Sequence, residues 1–436
     1  MLPLNKQHYH TRGEEIMENN YLKIVEQVNK YKTVQNLMCH VNKETLYNQH
    51  KLQLNKKAVG IDNISKIEYG TNLSENLERR VGRMKTFSYR PQPVKRVYIP
   101  KSGSGKLRPL GIPVYEDKLV QGVMTDILMK IYEPKFKDFS YGFRPKKSCH
   151  DAIKELDKII IKNAIRYVVD ADIKCFFDNV SHEWLIKFLE HDIDNKNFIR
   201  YIKRFLKSGV MEQGRYLESD KGTPQGGLIS PVLANVYLHY VLDLWFEKII
   251  RKEFRGRAFI VRYADDFVCC FIYEHEARKF FGVLKERFAK FGLRLAEDKS
   301  KIIKFGRNTK GKETFDFLGF AHINGTNRTG FYKVIHHTSK KKMKAKMAVV
   351  KEWLKKRIHE PKEEVVKKLN QKLIGHYRYY GISDNYNKLE CFQRYIRKQL
   401  FRTLNRISQR KLTWEKYKNF LKYNPIANPK IYVSLW

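Results

Sequence analysis

Two short apolar segments that end at aspartates constrain the fold of this chain more than any other feature. Tyr167–Ile173 has the character of a buried strand and reaches Asp172 near its end. Ala258–Tyr263 predicts a second strand, which leads to the adjacent acids Asp265 and Asp266. A further apolar segment follows directly, so the sequence predicts a hairpin with these two acids in its turn.

Carboxylates that flank such apolar strands must lie close to the core, where an unpaired charge is costly. The alternative is that both segments end in ordinary solvated turns. A divalent cation would offset the cost, because three carboxylates that converge from neighbouring strands make a hard oxygen site suited to Mg²⁺. Two such ions can activate an attacking 3′-hydroxyl and stabilise a leaving pyrophosphate.

The charge balance indicates a polyanionic partner. The 436 residues include 86 Lys and Arg against 46 Asp and Glu, which gives a formal net charge of +40 and an isoelectric point near 9.8. Nucleic acid is the first hypothesis, since each neutralised phosphate releases a counterion. The alternative is that the excess of positive charge serves only to keep the protein soluble. The hydrophobic content of 42% is enough for a sizeable core and excludes a disordered chain.

The cysteines and the N-terminal residues indicate an intracellular protein. The six cysteines include no Cys-x-x-Cys pair, which argues against a disulfide framework and a cysteine-rich zinc module. The first residues carry no apolar segment of the kind found in secretory signals, and no uncharged run reaches membrane-spanning length. We therefore expect a cytoplasmic protein without a membrane partner.

The pattern of apolar segments predicts an α+β protein with four regions. These are a helical N-terminal extension, two mixed regions and a basic helical region, with boundaries at 1–57, 58–165, 166–328 and 329–436. The last region is the most basic, because residues 340–436 hold 26 Lys and Arg against 7 Asp and Glu.

The acidic segments resemble those of reverse transcriptases, and specifically the bacterial group II intron-encoded enzymes that also act as maturases. The resemblance extends from about residue 60 to the C-terminus. Besides Tyr263-Ala264-Asp265-Asp266, its blocks occur in the family order: Ile99–Pro113, Ser140–Pro145, Gly222–Gly227, Ser230–Asn235 and Phe317–Phe320. It implies the fold of a right-hand polymerase, with fingers at 58–165 and a palm at 166–328, followed by a helical thumb and maturase domain.

The resemblance also implies a role for each matching residue of the acidic site. Asp172, Asp265 and Asp266 would be catalytic and, with the backbone carbonyl of Ile173, would hold two Mg²⁺ ions, for which Mn²⁺ is a possible substitute. Asp170 shares a strand face with Asp172. We interpret Asp170 as a structural residue beside the site.

Four further residues match the positions that bind the incoming nucleotide. Lys101 and Arg108, on either side of a glycine-rich hairpin turn, would clasp the triphosphate. Gln225 would contact the nucleotide from its glycine-rich loop. Phe177 would exclude a ribose 2′-hydroxyl, whereas its neighbour Phe176 is expected in the core. Without the resemblance, the two basic residues would be interpreted as a solvated surface, and the loop could equally be an ordinary glycine-rich one.

The basic C-terminal helices coincide with the region in which the family grips RNA. Candidate phosphate contacts include Lys340, Lys341, Lys344, Arg394, Arg397 and Arg402. Tyr377, Tyr379 and Tyr380 could stack on bases, but packing between helices is the favoured interpretation.

The function that the resemblance implies is RNA-directed DNA polymerisation. Such a protein would bind a group II intron RNA, assist its splicing, and copy it into DNA at a DNA target during retrohoming, using dNTPs on an RNA/DNA template-primer. No HNH endonuclease domain is expected, and nucleic acids would keep the protein near the nucleoid. The alternatives are a domesticated reverse transcriptase that copies its own non-coding RNA, for instance in antiviral defence, and a non-enzymatic splicing factor.

Overall fold

A computed structural model describes most of the chain, namely residues 21–100, 107–223, 226–307, 309, 313–406 and 412–435. The described part of the N-terminal region is helical, with α1 (Leu22–Lys30), a 3₁₀ turn (Leu37–His40) and α2 (Lys43–Leu52). Asn42 caps α2, because its side chain accepts a hydrogen bond from the backbone N–H of Thr45. Buried side chains of these helices belong to the same apolar core as the residues that follow.

The next region combines helices with a predicted hairpin. Its elements are α3 (Lys66–Thr71), α4 (Leu73–Lys85), β1 (Val94–Pro100), β2 (Leu107–Ile112), α5 (Tyr115–Tyr132) and α6 (Cys149–Lys162). The two strands pair antiparallel, with Ile99 opposite Arg108, which confirms the hairpin. Its predicted glycine-rich turn, including Lys101, lies outside the described residues.

Six further strands follow in the described chain: β3 (Tyr167–Asp172), β4 (Val210–Glu212), β5 (Arg215–Leu217), β6 (Phe259–Tyr263), β7 (Asp266–Phe271) and β8 (Lys301–Lys304). Four of them form an antiparallel central sheet of order β6-β7-β3-β8, which contains the acidic segments. The other two, β4 and β5, extend the first hairpin into a sheet of order β2-β1-β4-β5.

Helices share an apolar core with this central sheet. They are α7 (Phe176–Asn179), α8 (His182–Asp192), α9 (Lys196–Leu206), α10, which begins as Ser230–Leu238, and α11 (Glu274–Lys290). Helix α10 continues through wider π-helical turns at His239–Asp243 and Phe246–Ile250 and ends at Arg251–Glu253.

Alternation along the strands gives the central sheet two apolar faces. Val169 and Phe267 belong to one large core shared with the helices of the first half of the chain. Val168 and Val268 belong to a second core, which includes residues of α6 and of a smaller sheet. Because both faces are covered, polar side chains of these strands are concentrated at the end of the sheet that holds the acids.

The smaller sheet corrects the predicted start of the all-helical region at residue 329. Strands β9 (Thr314–Phe317), β10 (Phe320–Thr326) and β11 (Tyr332–Thr338) form an antiparallel sheet of order β11-β10-β9. Strand β11 lies beyond residue 329 and buries alternate side chains, Val334, His336 and Thr338. The excess of basic residues hid this period-2 pattern, and the helices begin only at Lys340.

Four helices complete the described chain: α12 (Lys340–Lys355), α13 (Lys362–Tyr380), α14 (Tyr386–Leu404) and α15 (Trp414–Tyr423). They surround a third apolar core. Tyr377 is fully buried there, and Tyr379 and Tyr380 pack against the second core, which confirms packing as their role. Across the described residues, no helix combines the length and the apolar character that a membrane span requires.

Candidate active site

The central sheet brings the predicted acids together at one end. Asp172 lies directly opposite Asp266 in the pairing of β3 with β7, so both side chains point to the same face. Asp170 lies two residues earlier on that face. Asp265 lies in the tight turn before β7, as predicted. Asp266 was also predicted in the turn, but it is the first residue of β7.

Burial and mutual repulsion raise the pKa values of Asp170, Asp265 and Asp266. Burial, then Asp170, Asp265 and Asp172, raise the pKa of Asp266 to about 8. Burial, Asp172 and Asp316 raise the pKa of Asp170 to about 7. The cluster therefore holds more negative charge than its surroundings neutralise, and its oxygens are the donors that a hard divalent cation prefers. The residues present thus fit a site for a hard divalent cation.

Basic side chains of neighbouring elements interact with the cluster. Lys299, just before β8, donates a hydrogen bond of 2.7 Å from Nζ to Oδ2 of Asp172, and the pKa of Lys299 rises mainly because of this bond. Burial and Asp172 raise the pKa of Asp265, while the guanidinium of Arg108 opposes that shift. The hairpin of the first sheet is therefore close enough to act on the acidic site.

A buried arginine fixes the turn that carries Asp265. Arg262 is the penultimate residue of β6. Its Nη1 donates hydrogen bonds to the carbonyl of Ala264 at 2.9 Å and to Oδ1 of Asn235 at 3.1 Å. Ala264 has a φ of 59°, a left-handed conformation that a non-glycine residue keeps only when its surroundings hold it. Asn235 in turn donates to the carbonyl of Gly142 at 2.7 Å.

Position 142, next to this turn, has no space for a side chain. A Cβ atom at that position would lie 2.3 Å from the backbone nitrogen of Ala264, which leaves no space for it. Two of the predicted sequence blocks, Ser140–Pro145 and Ser230–Asn235, therefore meet at the turn through Gly142 and Asn235.

Sequence reasoning missed Arg262 and Lys299. Arg262 had a usable signal, since a charged residue inside the apolar segment 258–263 must find a buried partner. Lys299 had none, because it stands in a polar segment and reaches Asp172 only through the pairing of β8 with β3.

Phe177 lies in the short helix that follows β3. It is half-buried, with its ring centroid 5.3 Å from that of Phe176, which is fully in the core as predicted. The carbonyl of Phe177 accepts a hydrogen bond from the backbone N–H of Thr223 at 2.7 Å. Gly222 has a φ of 84°, and a Cβ there would lie 2.8 Å from the carbonyl of Phe177, so only glycine fits.

The other predicted site residues have mixed outcomes. Ile173 directly follows Asp172 and is buried. Gln225, like Lys101, lies outside the described residues. The six candidate phosphate contacts are all exposed on α12 and α14: Lys340, Lys341, Lys344, Arg394, Arg397 and Arg402. Arg394 also lies 3.7 Å from Glu390, as a weak surface ion pair.

An antiparallel sheet that gathers carboxylates at one end, beside a basic hairpin, is the architecture of the palm and fingers of a right-hand polymerase. The family model "Reverse transcriptase (RNA-dependent DNA polymerase)" matches residues 99–322, slightly more than half of the chain. The chain therefore belongs to the reverse transcriptase family.

Curated relatives agree with this membership. Group II intron-encoded protein LtrA of Lactococcus lactis subsp. cremoris is 44% identical over 174 residues, which are 39% of this chain and 29% of LtrA. Protein YkfC of Escherichia coli (strain K12) is 32% identical over 312 residues, 63% of this chain and 78% of YkfC. Nuclear intron maturase 2, mitochondrial, of Arabidopsis thaliana is 25% identical over 183 residues, 32% of this chain and 24% of that protein. The match thus spans less than a third of LtrA.

Proposed function

We propose that this chain is an RNA-directed DNA polymerase that binds a group II intron RNA, assists its splicing and copies it into DNA. The observation that carries the proposal is the convergence of Asp172, Asp265 and Asp266 at one end of the central sheet, within the electrostatic reach of Arg108. The reaction would transfer a deoxynucleotide from its triphosphate to a primer 3′-end and release pyrophosphate.

The acids would hold the reacting groups in place. Asp172, Asp265 and Asp266, with the carbonyl of Ile173, are the proposed ligands for two Mg²⁺ ions, with Mn²⁺ as a substitute. Bound there, these ions would lower the pKa of the primer hydroxyl and neutralise the pyrophosphate. Arg262 would keep Asp265 in position through the carbonyl of Ala264.

The hairpin and the short helix after β3 would select the nucleotide. Arg108 offers a planar fork to phosphate oxygens, and Lys101 would add a second positive charge. The backbone of Phe177 lies against Gly222, and its ring would contact the sugar of the incoming nucleotide. Gln225 would contact the same nucleotide from the neighbouring loop.

The maturase part of the proposal rests on charge and on the relatives. Exposed basic residues of α12 and α14 provide a surface for RNA phosphates, and two of the relatives are named as an intron-encoded protein and an intron maturase. An RNA/DNA template-primer and, during retrohoming, a DNA target would complete the set of partners.

Primer extension with an RNA template tests the polymerase. Asp265→Asn removes one charge without a change of size, so it should abolish extension and leave RNA binding intact. Asp138→Asn is the matched control, because the carboxylate of Asp138 is fully exposed and belongs to none of the strands that carry the acids. Extension by Asp265→Asn at the parent rate would overturn the assignment of the site.

The RNA that copurifies with the protein from its host tests the maturase role. A long RNA with the catalytic core of a self-splicing intron, whose splicing the protein accelerates, supports it. A short non-coding RNA from a neighbouring locus would contradict the intron role and leave the polymerase unaffected.

A further inference from the structure

A second polar cluster is buried between α6 and the smaller sheet. It consists of Asp157 from α6, His322 from β10 and His336 from β11, whose nearest potential ligand atoms all lie within 4.8 Å of one another. The two histidines lie directly opposite each other in the pairing of β10 with β11. Both have 0% exposure, and Asp157 has 3%.

Only one hydrogen bond within the cluster has good geometry. Nε2 of His336 lies 3.0 Å from Oδ1 of Asp157. Among the described residues, both ring nitrogens of His322, Nδ1 of His336 and Oδ2 of Asp157 lack a hydrogen-bond partner. Buried polar atoms without partners are rare in native proteins, because each loses its hydration without a replacement. Four in one place therefore indicate a missing partner.

Burial keeps the imidazole of His322 neutral. It lowers the pKa of His322 well below its usual range, and His336 adds to this shift. The backbone of Phe317, which lies near the ring, opposes this shift. A neutral imidazole exposes a nitrogen lone pair, which is the form that binds metal ions.

Packing alone does not explain a histidine at position 322. Its ring stacks on Phe315 at a centroid distance of 4.6 Å and meets the ring of His336 edge-on at 4.7 Å. A phenylalanine would make the same contacts without burying two polar nitrogens.

We propose that Asp157, His322 and His336 bind one transition-metal ion of the Zn²⁺ class, which fastens α6 to the smaller sheet. Two imidazole nitrogens and one carboxylate oxygen are a donor set that Zn²⁺ accepts, with a fourth position open to water or a backbone carbonyl. Tetrahedral zinc bonds of about 2.0–2.1 Å place the donors about 3.4 Å apart, so the three side chains must rotate toward one another from separations of up to 4.8 Å. None of the three residues belongs to the carboxylates of the polymerase site.

Metal analysis of the full chain tests this proposal. The protein is purified without a metal-affinity step, passed over a chelating resin that removes loosely held ions, and analysed by inductively coupled plasma mass spectrometry. The expected result is about one zinc ion per parent chain and background zinc for His322→Phe, which keeps the aromatic stacking but loses the ligand.

Two controls separate this site from other sources of bound metal. His337→Phe removes the adjacent, half-buried histidine of β11 and should retain the ion. Asp265→Asn alters the polymerase site and should also retain it. Zinc that disappears from Asp265→Asn but persists in His322→Phe would overturn the proposal.

A spectroscopic measurement on the parent protein avoids any dependence on folding of the variant. After removal of zinc with a strong chelator, added Co²⁺ should give the intense visible absorption of a four-coordinate site, and added Zn²⁺ should abolish that absorption. A parent chain that holds no zinc and gives no such absorption with Co²⁺ contains a metal-free histidine cluster, and the proposal fails.

Discussion

Arg262 and Asp243 form an ion pair with no exposed surface, which links the turn that carries Asp265 to helix α10. Arg262 donates from Nε to Oδ1 of Asp243 at 2.7 Å and from Nη2 to Oδ2 at 2.5 Å. The remaining nitrogen, Nη1, reaches the carbonyl of Ala264. One guanidinium therefore joins the wider π-helical part of α10 to the backbone next to Asp265.

Loss of the Asp243 carboxylate should affect both stability and activity. Asp243→Asn leaves a buried guanidinium without its counter-charge, so we expect the free energy of unfolding to fall by about 3–5 kcal/mol. Primer extension should slow as well, because Arg262 would no longer be held toward Ala264. Urea unfolding followed by tryptophan fluorescence measures the first effect, and single-turnover extension measures the second.

A double variant distinguishes positioning of the turn from simple stability. Arg262→Met combined with Asp243→Leu replaces the pair by apolar side chains, which often restores stability. It does not restore the donor to the carbonyl of Ala264, so extension should remain slow in a stable protein. A stable double variant with the parent extension rate would show that Arg262 does not position the turn.

Phe177→Ala should weaken discrimination against ribonucleotides. The half-buried ring lies next to the strand that carries Asp172, so its removal opens space where a 2′-hydroxyl would otherwise collide. We expect the ratio of kcat/KM for a deoxynucleotide to that for the matching ribonucleotide to fall about tenfold or more. Phe331→Ala, which removes an aromatic ring that is 68% exposed, serves as the control. An unchanged ratio in Phe177→Ala would remove this residue from the nucleotide site.

The strands and the convergence of the acids were predictable because they depend on local pattern. The apolar flanks place Asp172 at a strand end and Asp265 and Asp266 at the turn between two strands, and the antiparallel pairing of neighbouring strands then makes them meet. Phe176 and Tyr377 were expected in cores because aromatic side chains beside strands and between helices usually pack there. Register is set by the hydrophobic pattern, so these features follow from sequence alone.

The remaining features depend on partners that are distant in sequence. Asp243 lies in an apolar helix and gave no sign that it would pair with Arg262. Strand β11 was hidden among basic residues. The histidine cluster was overlooked because zinc was sought only through cysteine spacing, whereas His322 and Asp157 come together only through the packing of α6 on the sheet.

The exposed lysines at the start of α12 should account for part of the salt dependence of RNA binding. We expect replacement of Lys340, Lys341 and Lys344 by Gln to make the slope of log K against log [salt] less steep by about 2, because three phosphate contacts are lost. Filter binding between low and high salt measures this slope.

A control with the same change of charge is available in α13. Lys367 and Lys368 lie 3.8 and 2.8 Å from Glu364 and Glu360, respectively, so these lysines are partly neutralised. Replacement of both, together with Lys362, by Gln should change the slope less than the α12 variant does. Equal changes would indicate a general effect of net charge and exclude a specific surface on α12.

His376 should make the C-terminal helices sensitive to acid. Its ring is 4% exposed and packs 4.2 Å from the centroid of Phe392, and burial, with Lys346, lowers its pKa to about 3. The unfolded chain takes up a proton near the usual value of 6.5, whereas the folded chain does not. The stability that neutral His376 provides is therefore complete above about pH 6.5 and is lost as the pH falls toward 3.

Between pH 7 and pH 5 this loss amounts to at most about 2 kcal/mol of the free energy of unfolding. His376→Phe keeps the aromatic packing and removes the titrating group, so its stability should fall less over that interval than that of the parent. His359→Phe, at an exposed position in the same region, should retain the parent's dependence. Urea titrations at the two pH values measure the difference, and an equal decrease in His376→Phe and the parent would assign the acid sensitivity to other groups.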